Sequence, residues 1–134
     1  MNAIDSNVLL RYLLHDDPDQ SRKARRVIAR EPVLVSDVVL AETLWVLSGG
    51  RNRATKEDLI KVINALFEDR QIRFERPQVV WQAFWDYQSS DADFQDALIM
   101  RKAHQEMADR GDDDGFSFLI FDRQAQSLQF AVAP

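Results

Sequence analysis

The chain has 134 residues, 46% of them hydrophobic and 29% charged, with a net charge of −5 and no cysteine. That size suits a single domain over residues 1–134 with a packed core. The composition excludes a disordered chain, a disulfide scaffold, a Cys-ligated zinc site and a thiol nucleophile. No apolar run approaches the ~20 residues that cross a bilayer, and Met1 to Asp5 lacks the basic, then apolar, start of a signal peptide, so a cytoplasmic protein without a membrane partner is expected.

In chain order, Ala3-Ile4 is a short apolar segment ending in Asp5-Ser6-Asn7, and a helical pattern follows through Val8, Leu9, Tyr12 and Leu13. Asp17 is placed to cap a helix whose first residue is Pro18, where the missing N–H costs nothing, and Pro32 stops that helix near Arg30. Val33-Leu34-Val35 reads as a buried strand. Ser36 or Asp37 caps the next helix, whose core-facing stripe is read as Val39, Glu42, Trp45 and Val46, and Gly49-Gly50 closes it. Thr55 with Asp58 resembles a capping box and opens a helix to about Asp69.

Ile72-Arg73-Phe74 is a further strand, and Pro77 starts a helix through Trp81, Phe84, Trp85 and Tyr87, read as core or interface. Ser90 to Asp93 is a capping cluster before a helix that stops at Gly111. Asp112-Asp113-Asp114-Gly115 is an acidic loop. Phe118 to Phe121 reads as a second buried strand ending at Asp122, and Leu128 to Val132 as a last strand. Strands alternating with helices predict an α/β domain with a mostly parallel central sheet between helical layers.

In such sheets ligands bind beyond the carboxyl ends of the strands, where Asp5 and Asp122 are expected to project from one edge. Glu42, on the stripe read as core-facing, and Asp96, in the first turn of its helix, complete a candidate set of four acids. Asp93 reads first as the N-cap of that helix. Two carboxylates about 6 Å apart repel by roughly 3 kcal/mol at an effective dielectric of about 20, so converging acids need a cation. Hard oxygen donors select magnesium or manganese, ions suited to phosphodiester hydrolysis. The net charge opposes general nucleic-acid binding, but Arg22, Lys23, Arg25, Arg26 and Arg30, with Arg51, Arg53 and Lys56, offer a basic rim. His15 and His104 fit no ligand spacing and read as surface.

The segments Ile4-Asp5-Ser6-Asn7-Val8-Leu9-Leu10-Arg11, Ala41-Glu42-Thr43-Leu44-Trp45-Val46-Leu47, Ala92-Asp93-Phe94-Gln95-Asp96-Ala97-Leu98-Ile99 and Leu119-Ile120-Phe121-Asp122-Arg123 occur in this order across nearly the whole chain. Together they resemble PIN-domain endoribonucleases, specifically toxins of the VapC type from toxin–antitoxin pairs. The resemblance implies a PIN-like three-layer α/β/α domain and an RNase dependent on Mg2+ or Mn2+. Asp5, Glu42, Asp96 and Asp122 would be its catalytic metal ligands, and Ser6 and Asn7 would support the first acid. It also implies a homodimer or higher oligomer, an RNA substrate and a small antitoxin of the VapB type.

Two departures stand out. Ile120 occupies the position, two before the last acid, where the family carries a hydroxyl, and the loop Asp112 to Asp114 is more acidic than the family norm. A catalytically weak or silent PIN-fold binding module is the second reading, and Ile120 favours it. Receiver and phosphatase domains also place acids at strand ends. They fit less well, because Asn7 stands where a phosphatase needs an acid and Arg123 where a receiver needs Lys.

Overall fold

In the computed structural model, which describes residues 1–134, the chain divides into two units, Met1–Glu75 and Arg76–Pro134. The first holds β1 (Asn2–Ala3), α1 (Ser6–Leu13), α2 (Pro18–Arg30), β2 (Val33–Val35), α3 (Asp37–Ser48), α4 (Lys56–Glu68) and β3 (Ile72–Phe74). Its sheet has the order β1-β2-β3 and is parallel throughout, with Asn2 opposite Val33 and Val33 opposite Ile72. Parallel neighbours need crossovers, and the helices between the strands supply them. Val33 and Val35 of the central strand are fully buried, and so are Leu9, Ile28, Leu40, Leu44 and Ile63 of the helices.

Local chemistry sets the helix boundaries of this unit. The Asp17 side chain accepts from the Gln20 N–H and Pro18 is the first residue of α2, as expected. Ser36, rather than Asp37, caps α3 by accepting from the Val39 N–H. The Thr55–Asp58 capping box is complete in both directions, satisfying two amides that α4 leaves without a helical partner.

The second unit holds α5 (Pro77–Ser89), α6 (Phe94–Asp109), β4 (Phe118–Leu119), a 3-10 turn (Ala125–Ser127) and β5 (Ala131–Val132). Helices α5 and α6 pack on each other around Val80, Phe84, Phe94 and Met100, and the Tyr87 and Phe94 rings meet edge to face at 5.9 Å. Asp86 on α5 and Arg101 on α6 form a buried ion pair with Nη2–Oδ1 at 2.9 Å. Strands β4 and β5 form their own parallel pair.

The α/β class with parallel strands holds, and several details differ from expectation. The second buried strand shrinks to Phe118–Leu119, which pairs with β5, and Leu119 and Phe121 are 64% and 84% exposed because no layer packs over their side chains. The last strand is limited to Ala131–Val132, the residues before it being drawn into the 3-10 turn. On α5, Phe84 and Tyr87 are core while Trp81 and Trp85 are exposed. His104 is not a bare surface residue: its ring lies 5.1 Å from Phe116 and 4.6 Å from Phe130, on a half-buried aromatic cluster.

Candidate active site

The Ile4 N–H donates to the Leu34 carbonyl, continuing the β1–β2 ladder by one residue, so Asp5 stands just past the carboxyl end of β1. Its Oδ1 accepts from the Val8 N–H at 3.0 Å, making Asp5 the N-cap of α1. A cap at a strand's carboxyl end places a carboxylate where open α/β sheets bind ligands. Ser6 is buried and Asn7 exposed. Beside β1 runs an open cleft of about 680 Å3, lined by Ile4, Asp5, Asn7, Val8, Arg11 and Lys23 among others. Arg11 is held over the Asp16 carboxylate at 2.9 and 3.0 Å, and Lys23 lies 3.4 Å from Asp19.

Glu42 lies in the second turn of α3, and its position corrects the expected stripe. The inward face is Leu40, Thr43, Leu44 and Leu47, while Glu42 is exposed on a face shared with Val38 and Trp45, which are 72% and 70% exposed. Helix α3 is apolar around most of its circumference, so periodicity offers two stripes and the one without Glu42 is buried.

In the second unit Asp93 occupies the N-cap position of α6 with extended backbone, yet its side chain makes no cap hydrogen bond. Asp96 follows in the first turn, partly buried. Burial pushes its carboxyl above the usual carboxylate range, and the negative charges of Asp93 and Asp122 push it further. Asp122 Oδ1 accepts the N–H groups of Gln124 at 2.9 Å and Ala125 at 3.3 Å, which anchors the 3-10 turn. Sequence reasoning did not foresee that role, although the polar Asp-Arg-Gln segment after an apolar run carries the signal for such a turn.

Of the predicted site residues, Asp96 therefore feels the charges of Asp93 and Asp122 within the second unit, and Asp5 and Glu42 belong to the first. Nowhere in the chain do three His, Asp or Glu side chains form a ready set for a metal ion. The donors themselves fit a hard divalent cation: they are all carboxylate oxygens, and the negative charge that Asp93 and Asp122 place on Asp96 is what such an ion relieves.

That repulsion has a measurable consequence without any ion. A carboxyl whose folded-state pKa is raised favours the fold when protonated, and this contribution is lost as pH rises through the folded value. Asp96→Asn removes the charge at neutral pH, and the expected outcome is a higher melting temperature than wild type in EDTA by scanning calorimetry. A lower one would mean that the three carboxylates do not burden the fold.

Residues 3–124 match the PIN domain family, a stretch that takes in Asp5, Glu42, Asp93, Asp96 and Asp122 and runs through both units. No curated protein matches the chain. With the family match covering most of its length, the chain belongs to the PIN-domain family, a family of nuclease type.

Proposed function

We propose that this protein is a metal-dependent endoribonuclease that hydrolyses RNA phosphodiester bonds as the toxin of a toxin–antitoxin pair, of the VapC type. The observation that carries the reading is the partly buried Asp96, which feels the negative charges of Asp93 and Asp122, inside the stretch that matches the PIN family. Asp5, Glu42, Asp96 and Asp122 would hold Mg2+ or Mn2+, with Ser6, Asn7 and Asp93 in support. When bound, such an ion supplies charge neutralisation at the scissile phosphate and activation of water.

The chain's own residues perform the rest. Asp5 is oriented by the Val8 N–H and Asp122 by the Gln124 and Ala125 amides, so each presents a fixed carboxylate rather than a freely rotating one. Arg11 and Lys23 on the cleft that contains Asp5 offer positive charge to a phosphate backbone that the acidic protein otherwise repels. Neither histidine belongs to the candidate site.

The inhibitory partner of this reading is a small VapB-type antitoxin. An Arg of its tail makes paired hydrogen bonds to the acids, while apolar residues of the tail cover exposed Trp45, Trp81 or Trp85. The second reading, a silent PIN-fold binding module, is favoured by Ile120, which stands where the family carries a hydroxyl. A quenched fluorescent RNA oligonucleotide separates the two: cleavage with manganese, abolished by EDTA and by the co-expressed antitoxin, is the expected result. No cleavage under any metal condition supports the silent module.

A further inference from the structure

Helix α2 carries five cations, Arg22, Lys23, Arg25, Arg26 and Arg30, and one acid, Asp19, in a chain whose net charge is −5. All five cationic side chains are exposed. Arg22 and Lys23 share Asp19, at 3.1 and 3.4 Å, while Arg25, Arg26 and Arg30 have no carboxylate partner. The other acids of this region are already engaged: Asp16 by Arg11, Asp17 by the Gln20 amide and Asp69 by the Tyr12 hydroxyl. The helix is therefore short of counter-charge on a protein that is acidic as a whole.

One of these cations is held in place by a partner that does not neutralise it. The Arg25 guanidinium lies 2.7 Å from either ring nitrogen of His15. Both side chains, with Arg22, Ser21 and Pro18, line an open pocket of about 310 Å3. A guanidinium directed at an imidazole instead of a carboxylate keeps its full charge for an outside anion, and its fork of donors suits a phosphate. The imidazole carries at least one N–H donor of its own. Arg22, Arg25 and Arg26 follow the three- and four-residue spacing of one helix face. Lys23, the neighbour of Arg22, lines the cleft that contains Asp5.

We propose that the exposed face of α2 binds the sugar–phosphate backbone of an RNA strand, with Arg25 and His15 forming one phosphate subsite. A row of unpaired cations fits a polyanion better than one small anion, because each phosphate neutralised adds to affinity. The exposed Arg22–Asp19 and Lys23–Asp19 pairs are weak enough to open and release their cations to the strand. Place favours RNA over an acidic peptide, since Lys23 continues the row into the cleft beside Asp5. Resting on the nuclease reading, the face delivers the strand to that cleft and acts on substrate binding, not on the chemical step.

Fluorescence anisotropy with a labelled single-stranded oligouridylate, in EDTA so that no cleavage intervenes, reads this binding alone. Arg25→Gln with His15→Gln is expected to weaken affinity about tenfold, and to flatten the slope of log Kd against log salt by roughly 0.7 per lost phosphate contact. Arg25→Lys, which keeps the charge and loses the fork, should fall between this variant and wild type. Arg51→Gln with Arg53→Gln removes more charge, but from the loop between α3 and α4, and should leave affinity near wild type. With manganese and RNA, the Arg25→Gln, His15→Gln protein should show a raised KM and an unchanged kcat. Unchanged affinity in that variant, an equal loss on removing Arg51 and Arg53, or tighter binding of an oligoglutamate peptide than of the RNA overturns the proposal. RNA bound through α2 by a protein that cleaves nothing leaves the subsite standing and removes only the nuclease reading.

Discussion

Asp5→Asn and Glu42→Gln are each expected to reduce RNA cleavage by roughly a hundredfold or more, the scale on which loss of one charge-stabilising group in an active site is felt. Both keep side-chain volume, and both residues are exposed, so neither should disturb the core. Asn at position 5 still offers an oxygen to the Val8 N–H, which preserves the start of α1. Circular dichroism and melting temperature should therefore stay near wild type while activity falls. Full activity in both variants would remove these acids from the mechanism; a lost fold in Asp5→Asn would mean that its charge at the α1 cap is structural.

The second large effect concerns stability. Arg101 and Asp86 have side chains only 12% and 10% exposed. Arg101 Nη2 reaches both Asp86 Oδ1 and Gln129 Oε1, and its guanidinium lies 5.4 Å from the Phe130 ring centre. Arg101→Met leaves the buried Asp86 carboxylate without its partner, and the expected cost is about 3–5 kcal/mol. Replacing both residues by apolar ones of similar volume, Arg101→Met with Asp86→Leu, should recover most of that loss, since the penalty comes from the stranded charge. Urea denaturation checks both. A loss below about 1 kcal/mol for Arg101→Met would show that water reaches Asp86 and that the pair behaves as an exposed one.

What could be read from the sequence was the chemistry of neighbours in the chain. Asp17-Pro18, Pro32 and Thr55 with Asp58 act over three or four residues, and the boundaries of α2 and α4 fall where they indicate. The strands Val33–Val35 and Ile72–Phe74 were legible for the same reason. What depends on distant partners was not. Helix α3 is apolar on two faces, so the choice between the Val39–Trp45 stripe and the Leu40–Leu47 stripe is made by what packs against it. The run Phe118 to Phe121 has the apolarity of a fully covered strand, but apolarity does not show what packs over a strand, and Leu119 and Phe121 stay exposed.

At the candidate site the same division holds. The strand-end position of Asp5 followed from an apolar pair before a polar triplet, and Asp96 in a first helical turn followed from Ser90 to Asp93. The uncapped side chain of Asp93 and the turn anchored by Asp122 are properties of folded backbone. The Asp86–Arg101 pair joins residues 15 apart on two helices, a relation that no local pattern announces.

Titration calorimetry with manganese tests the metal role of the acids most directly. The account predicts saturable binding to wild type, weakened by about tenfold or more in Asp96→Asn and in Asp122→Asn, the scale on which damage to a metal site is usually felt. Absence of binding, or binding indifferent to both substitutions, would contradict it.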